Sequence, residues 1–147
     1  MVYWLYSLAL SVGALAGAPY WLWRGLRDGK YRHSFVRRLG WRLPPEPRPS
    51  RPVWIHAVSV GEVLAAKPLI AALGAEHPGI GVVVSTVTLA GQTLAQKELP
   101  AAAGAVFYFP FDWDWSVTRY LDRIEPRAVI LMETELWPNF LKACARR

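Results

Sequence analysis

The sequence predicts an α/β protein: a Rossmann-like parallel sheet with helices on both faces, preceded by one transmembrane helix. Three observations carry that prediction. Val2 to Trp23 is a run of 22 residues without a charge. From residue 52 onward, apolar strand-like runs alternate with helix-periodic segments, the pattern of successive βαβ units. Those strand runs are apolar at consecutive positions, as strands covered on both faces must be.

The uncharged run comes first. As a helix it rises about 33 Å at ~1.5 Å per residue, enough for a hydrocarbon core of about 30 Å. Tyr3, Trp4 and Tyr6 mark one end and Tyr20, Trp21 and Trp23 the other, as aromatic residues do at two membrane interfaces. Ala14-Leu15-Ala16 and Ala16-Gly17-Ala18 resemble cleavage sites, but a signal peptide should begin with basic residues, and none are here. A buried core helix is rarely this long without a charge.

Residues 24–51 hold nine basic side chains against Asp28 and Glu46, a net of +7, while residues 52–147 hold eight basic and nine acidic, a net of −1. The total of +6 therefore describes one segment. Basic residues beside an apolar span favour the cytoplasmic side. The expected address is the inner membrane, single-pass, with the domain facing the cytoplasm. Such a cluster suits anionic lipid headgroups, and its place beside the span argues against nucleic acid. Cys144 is the only cysteine, so no internal disulfide forms, which suits a reducing compartment. Eight tryptophans and 53% apolar residues exclude a disordered chain.

Tyr31 to Leu39 reads as a short basic helix on the membrane surface, ended by Gly40. LPPEPRPSRP, residues 43–52, is a stiff connector and sets the boundary. The organisation is thus 1–23 anchor, 24–51 basic segment and connector, and 52–147 domain. VWIHAV (53–58) is the first strand. Val63, Ala66, Leu69, Ile70 and Leu73 give 62–73 helical spacing, and Pro68 removes the bond to Leu64, predicting a kink or a regular start only near Ala65. IGVVVSTV (80–87) follows, with Thr88 to cap the next helix and Pro100 to end it. AVFYF (105–109), a helix from Trp115 to Ile124, and AVILME (128–133) come next. Pro138 suits the first turn of a last helix, which runs to Arg147.

In open α/β sheets, ligands bind beyond the carboxyl ends of the strands, where strand order reverses. An order of 3-2-1-4 sets the first and fourth strands side by side. Glu62, Glu133 and Glu135 then share one crevice with a helix N-terminus. Ser59-x-x-Glu62 is also a capping box, the commoner meaning of that pattern, and the residues alone leave both readings open. Glu133 and Glu135 read equally as a solvated strand end. His56 reads as a hydrogen-bonded core histidine, and Asp112 and Asp114 as turn or cap residues. No spacing matches a zinc site. Neither a Walker loop nor GxGxxG is present, so nothing suggests dinucleotide binding by this half, and no cofactor is expected.

Taken in order and spacing, the uncharged span, KYRHSFVRRLG, WIHAVSVGE with AAKPLI, STVTLAG, YFPFDW and METELWPN resemble the N-terminal half of the bacterial 3-deoxy-D-manno-octulosonic acid (Kdo) transferases, which build the inner core of lipopolysaccharide. The resemblance implies a GT-B glycosyltransferase whose N-terminal domain takes a lipid A precursor as acceptor. A C-terminal domain, absent from these 147 residues, binds the donor CMP-Kdo, so the fragment alone is not expected to catalyse transfer. It implies inversion without a bound metal, Glu62 as the base and Glu133 as a supporting acid group. Ser59, Gly61, Glu135 and Arg38 become substrate-binding residues, with Ser59 and Gly61 shaping the turn that presents Glu62. The basic segment would meet the acceptor's phosphates. A carboxylate within reach of a sugar hydroxyl can take its proton as the new bond forms. One departure stands out: Arg37-Arg38-Leu39-Gly40 replaces the family's usual Glu-Arg before an aromatic residue and glycine, a charge reversal at Arg37. The alternative reading is a non-catalytic, membrane-tethered α/β module that binds an anionic lipid or sugar.

Overall fold

The computed structural model describes residues 2–28, 32–47, 49, 51–99, 103–133 and 135–147, without the side chains of residues 21, 22, 24–28, 32 and 33. Expectations placed on Lys30, Arg48, Pro100 and Thr134, and on the side chains of Arg24 and Arg27, lie outside the described residues. The chain divides into two units. The first takes residues 1–42, 110–119 and 136–147, and the second residues 43–109 and 120–135.

The second unit holds a four-stranded parallel sheet. Its strands are β1 (Val53–His56), β2 (Val82–Thr86), β3 (Ala105–Tyr108) and β4 (Ala128–Leu131), in the order β3-β2-β1-β4. Val53 stands opposite Val82 on one side and Ala128 on the other. Side chains alternate between faces along a strand, and here both faces are apolar. Val53, Ile55, Val82 and Val84 pack with Val63, Ala66 and Ile70 of α3 (Val60–Glu76) and Ala95 and Leu99 around α4 (Leu89–Glu98). Trp54 points the other way, its ring 5.3 Å from Phe107, 6.0 Å from Phe109 and 6.5 Å from Tyr120. Burying each such aliphatic side chain contributes about 1.5–3 kcal/mol.

The strands are shorter than the apolar runs that announce them. The ladder ends at His56, although Ala57 N–H still donates to Ser85 O at 2.9 Å. α3 begins at Val60, not near Ala65, and continues through Pro68. Pro68 and Leu64 lie on the exposed face of that helix, so the carbonyl that Pro68 leaves without its donor is on the water side. Thr88 caps α4 as expected, accepting from Gly91 N–H at 3.0 Å. The proline-rich connector is clasped to the sheet's other end: Arg123 pairs with Glu46 and donates to Pro44 O, and Arg127 donates to Arg51 O.

The first unit is helical. It contains α1 (Val2–Asp28), α2 (Arg32–Arg38), the start of α5 (Asp114–Ile124) and α6 (Pro138–Cys144). Val2–Tyr20 of α1, with a mean hydropathy of 1.3, is long and apolar enough to span a membrane. Gly40, at φ 76°, ends the α2 segment by a left-handed turn that glycine adopts without strain. α6 stops at Cys144 rather than at Arg147. Asp112 caps it: one carboxylate oxygen accepts from Asn139 N–H at 3.0 Å and the other from Phe140 N–H at 2.8 Å. The Asn139 side chain donates back to Asp112 O at 2.6 Å and to Ser7 Oγ at 3.0 Å. Asp114 pairs with Lys142 at 3.8 Å. Burial raises the Asp112 carboxyl above its ordinary range, against the pull of those two amides and the Tyr6 hydroxyl.

Candidate functional site

The site is built at the carboxyl end of β1. The chain leaves the sheet at His56, turns through Ala57 and Val58, and enters α3 behind Ser59, whose extended backbone (φ −121°, ψ 175°) makes it the N-cap. Glu62, in the first turn, folds back over that turn and is 7% exposed. Its Oε2 accepts from Val58 N–H at 2.8 Å. Its Oε1 accepts from Ser59 N–H at 3.1 Å and from the Ser59 hydroxyl at 2.8 Å. The capping box is therefore formed. A carboxylate offers about four lone-pair positions. Three are taken here, and the open one is on Oε2.

Gly61 does not behave as expected. A Cβ placed there would meet nothing within 4 Å, and the residue is an ordinary member of the helix. The turn does not require glycine, and the position faces open space.

The residues that do shape the turn come from the next loop. Val58 O accepts from Val87 N–H at 3.2 Å, from Thr88 N–H at 3.1 Å and from the Thr88 hydroxyl at 3.2 Å. A Cβ on Gly91 would lie 2.9 Å from Thr88 Oγ1, 3.2 Å from Val58 O and 3.3 Å from the Ser59 carbonyl carbon. Glycine at 91 thus lets α4 press against the peptide that presents Glu62. Sequence reasoning found Thr88 as a cap and missed this second contact. The signal was available: strands adjacent in a parallel sheet deliver adjacent loops, and STVTLAG follows β2.

Strand order brings the METE segment to the same edge. β4 pairs with β1, and Met132 N–H donates to His56 O at 3.0 Å just beyond the ladder. Glu133 is exposed and Glu135 half-buried, and among the described residues neither forms an ion pair. His56 is a core residue as expected, with Nδ1 2.9 Å from Ser85 Oγ and its ring stacked 4.0 Å from Phe109. Ser85 Oγ also accepts from Trp54 Nε1 at 2.8 Å. Arg38 belongs to the first unit, at the end of α2, where its guanidinium sits 4.3 Å above the Phe111 ring. Arg37 beside it is exposed. No group of three metal-ligating side chains occurs among the described residues.

A parallel sheet that carries carboxylates at the carboxyl ends of two adjacent strands has the layout of an α/β enzyme domain. The family model described as 3-deoxy-D-manno-octulosonic-acid transferase (kdotransferase) matches residues 33–147, and the chain belongs to that family. It is 36% identical over 146 residues to the 3-deoxy-D-manno-octulosonic acid transferase of Bordetella pertussis, covering 95% of this chain and 33% of that protein. To the enzyme of the same name from Haemophilus influenzae it is 33% identical over 118 residues, 79% of this chain and 27% of that protein. A protein described as a probable mitochondrial 3-deoxy-D-manno-octulosonic acid transferase of Arabidopsis thaliana is 32% identical over 124 residues, 84% of this chain and 27% of its own length. The chain thus spans about a third or less of the curated relatives it matches.

Proposed function

We propose that this chain is the acceptor-side part of a glycosyltransferase that moves Kdo from CMP-Kdo to a lipid A precursor in lipopolysaccharide synthesis. The donor is bound mainly by a second domain outside these 147 residues. The observation that carries this reading is the pose of Glu62: buried and fixed by three donors, with one lone-pair position of Oε2 left over. An acceptor hydroxyl approaching there hands its proton to Oε2. Its oxygen attacks the anomeric carbon of Kdo from the face opposite CMP, the bond to the CMP phosphate breaks, and the configuration inverts. Ser59 keeps Oε1 engaged throughout. Glu133 and Glu135, on the neighbouring strand end, assist and bind sugar hydroxyls. Arg38 and the basic segment before the connector meet the acceptor's phosphates. The protein is held at the inner membrane through α1, with the sheet on the cytoplasmic side, where family membership and the +7 of residues 24–51 both support it.

The test uses the full-length protein. Glu62→Gln keeps the size and most hydrogen bonds but removes the base, and turnover is expected to fall roughly 10²–10⁴-fold with little change in unfolding temperature. Glu133→Gln should lose less. Since glutamine also serves in a capping box, near-normal turnover by Glu62→Gln would reduce Glu62 to its structural role.

A further inference from the structure

Exposed apolar surface and positive charge are concentrated in the same unit. Of seventeen large hydrophobic side chains standing exposed among the described residues, fourteen belong to the first unit, and only Val60, Leu64 and Leu89 to the second. The first unit has eleven basic residues against three acidic, a net of +8; the second has six against eight, a net of −2. A surface of that kind fits the interface of an anionic lipid leaflet.

Within this unit α1 has two sides. Ser11 Oγ accepts from Trp113 Nε1 at 3.1 Å, Ser7 Oγ accepts from Asn139 Nδ2 at 3.0 Å, and the Lys142 ammonium lies 5.0 Å from the centre of the Tyr3 ring. Positions 3, 7 and 11 follow one another at helical spacing and form one stripe. Val2, Leu5, Leu8, Val12 and Leu15 are exposed.

Those contacts are incompatible with a helix that crosses the bilayer. With Arg24 at the cytoplasmic end, Ser7 would lie about 20 Å beyond Tyr20 at ~1.5 Å per residue. That is the far half of a core about 30 Å thick. Its partners would have to follow: Asn139, the Asp112 carboxylate and the irregular backbone around Asp112. Hydrocarbon accepts neither a charged carboxylate nor lipid-facing irregular backbone without heavy cost.

We propose that α1 lies on the cytoplasmic side of the membrane. Ser7 locks it to Asn139 of α6 and Ser11 locks it to Trp113, and its Val2, Leu5, Leu8, Val12 and Leu15 face is sunk into the inner leaflet. This rests on the membrane attachment proposed above and replaces the single-pass topology that length alone predicts.

The experiment uses full-length protein in native membranes with Cys144→Ser as background. In one variant, Tyr3→Cys and Lys142→Cys are offered a short bis-maleimide; in another, Val2→Cys is offered a membrane-impermeant maleimide on spheroplasts and on inside-out vesicles. The expected result is an intramolecular cross-link and no labelling of Val2→Cys from the periplasmic side. Periplasmic labelling, or a failure to cross-link, overturns the proposal while leaving membrane attachment standing. Recovery of the protein in the soluble fraction overturns both.

Discussion

Glu62 and Gly61 sit side by side in the first turn of α3, and the sequence told more about the one than about the other. Ser59-x-x-Glu62 is legible because hydrogen-bond geometry at a helix start is local, and the capping box formed as the spacing implies. The same locality hides whether Glu62 also works as a base, since a cap and a site use the same atoms. Gly61 was expected to shape the turn, yet only three-dimensional surroundings show that a side chain there would meet open space. That difference makes a prediction. Gly61→Ala should leave folding unharmed or raise stability by about 0.5–1 kcal/mol, the helix preference of alanine over glycine. If the acceptor passes over this surface, KM for the acceptor should rise in the full-length enzyme while the unfolding temperature does not fall. An unchanged KM would place the acceptor elsewhere.

At the scale of elements, the four strands and their parallel sense were readable, because alternating apolar runs and strand-helix spacing constrain them strongly. Their order was only an assumption from the common βαβ arrangement, which the sheet matches. Boundaries were harder to read. The sequence could not say that α3 starts ahead of Ala65, because the compensation for Pro68 is exposure of one face of the helix. Nor could it pair Asp112 with Asn139, which are 27 residues apart. Two contacts between elements can be tested. Gly91→Ala forces α4 away from the Val58–Ser59 peptide by a few tenths of an ångström. Turnover is expected to drop about tenfold, the scale at which small misplacements in a catalytic site are felt, with α4 itself no less helical. Unchanged turnover would show that the Glu62 turn tolerates the shift. The Asp112 cap predicts a pH effect. Its carboxyl binds a proton more readily in the folded chain than in the unfolded one, because burial raises it above the ordinary 3.8. Stability therefore falls as pH rises from 3.8 through the folded value, and then levels. Asp112→Asn lacks that titration, so the advantage of wild type over the variant should be largest at the acid end and shrink with rising pH. Thermal melts across that window check it; a difference independent of pH would mean that the amide bonds offset burial.

Over the whole molecule, the charge that looked like a linear segment is a property of a unit assembled from three pieces of chain. Residues 110–119 and 136–147 join the N-terminal helices through bonds such as Trp113 to Ser11 and Asn139 to Ser7, which are 102 and 132 residues apart. Periodicity and composition are local measures, and they do not register such pairings. The sheet carries a further consequence. β1 and β2 are buried at every position, whereas β4, as apolar as they are, has Ala128 exposed and Val129, Ile130 and Leu131 only half-covered. Among the described residues it pairs with β1 alone. A strand with a vacant hydrogen-bonding flank and an apolar sequence is a template for another strand. Expressed as these 147 residues, the protein is expected to self-associate through β4, reversibly at first and then as aggregate. Ala128→Lys puts a charge at the exposed start of that strand, and sedimentation should show a smaller, more monodisperse species with the same unfolding temperature. If the size distribution does not change, the sticking surface is elsewhere.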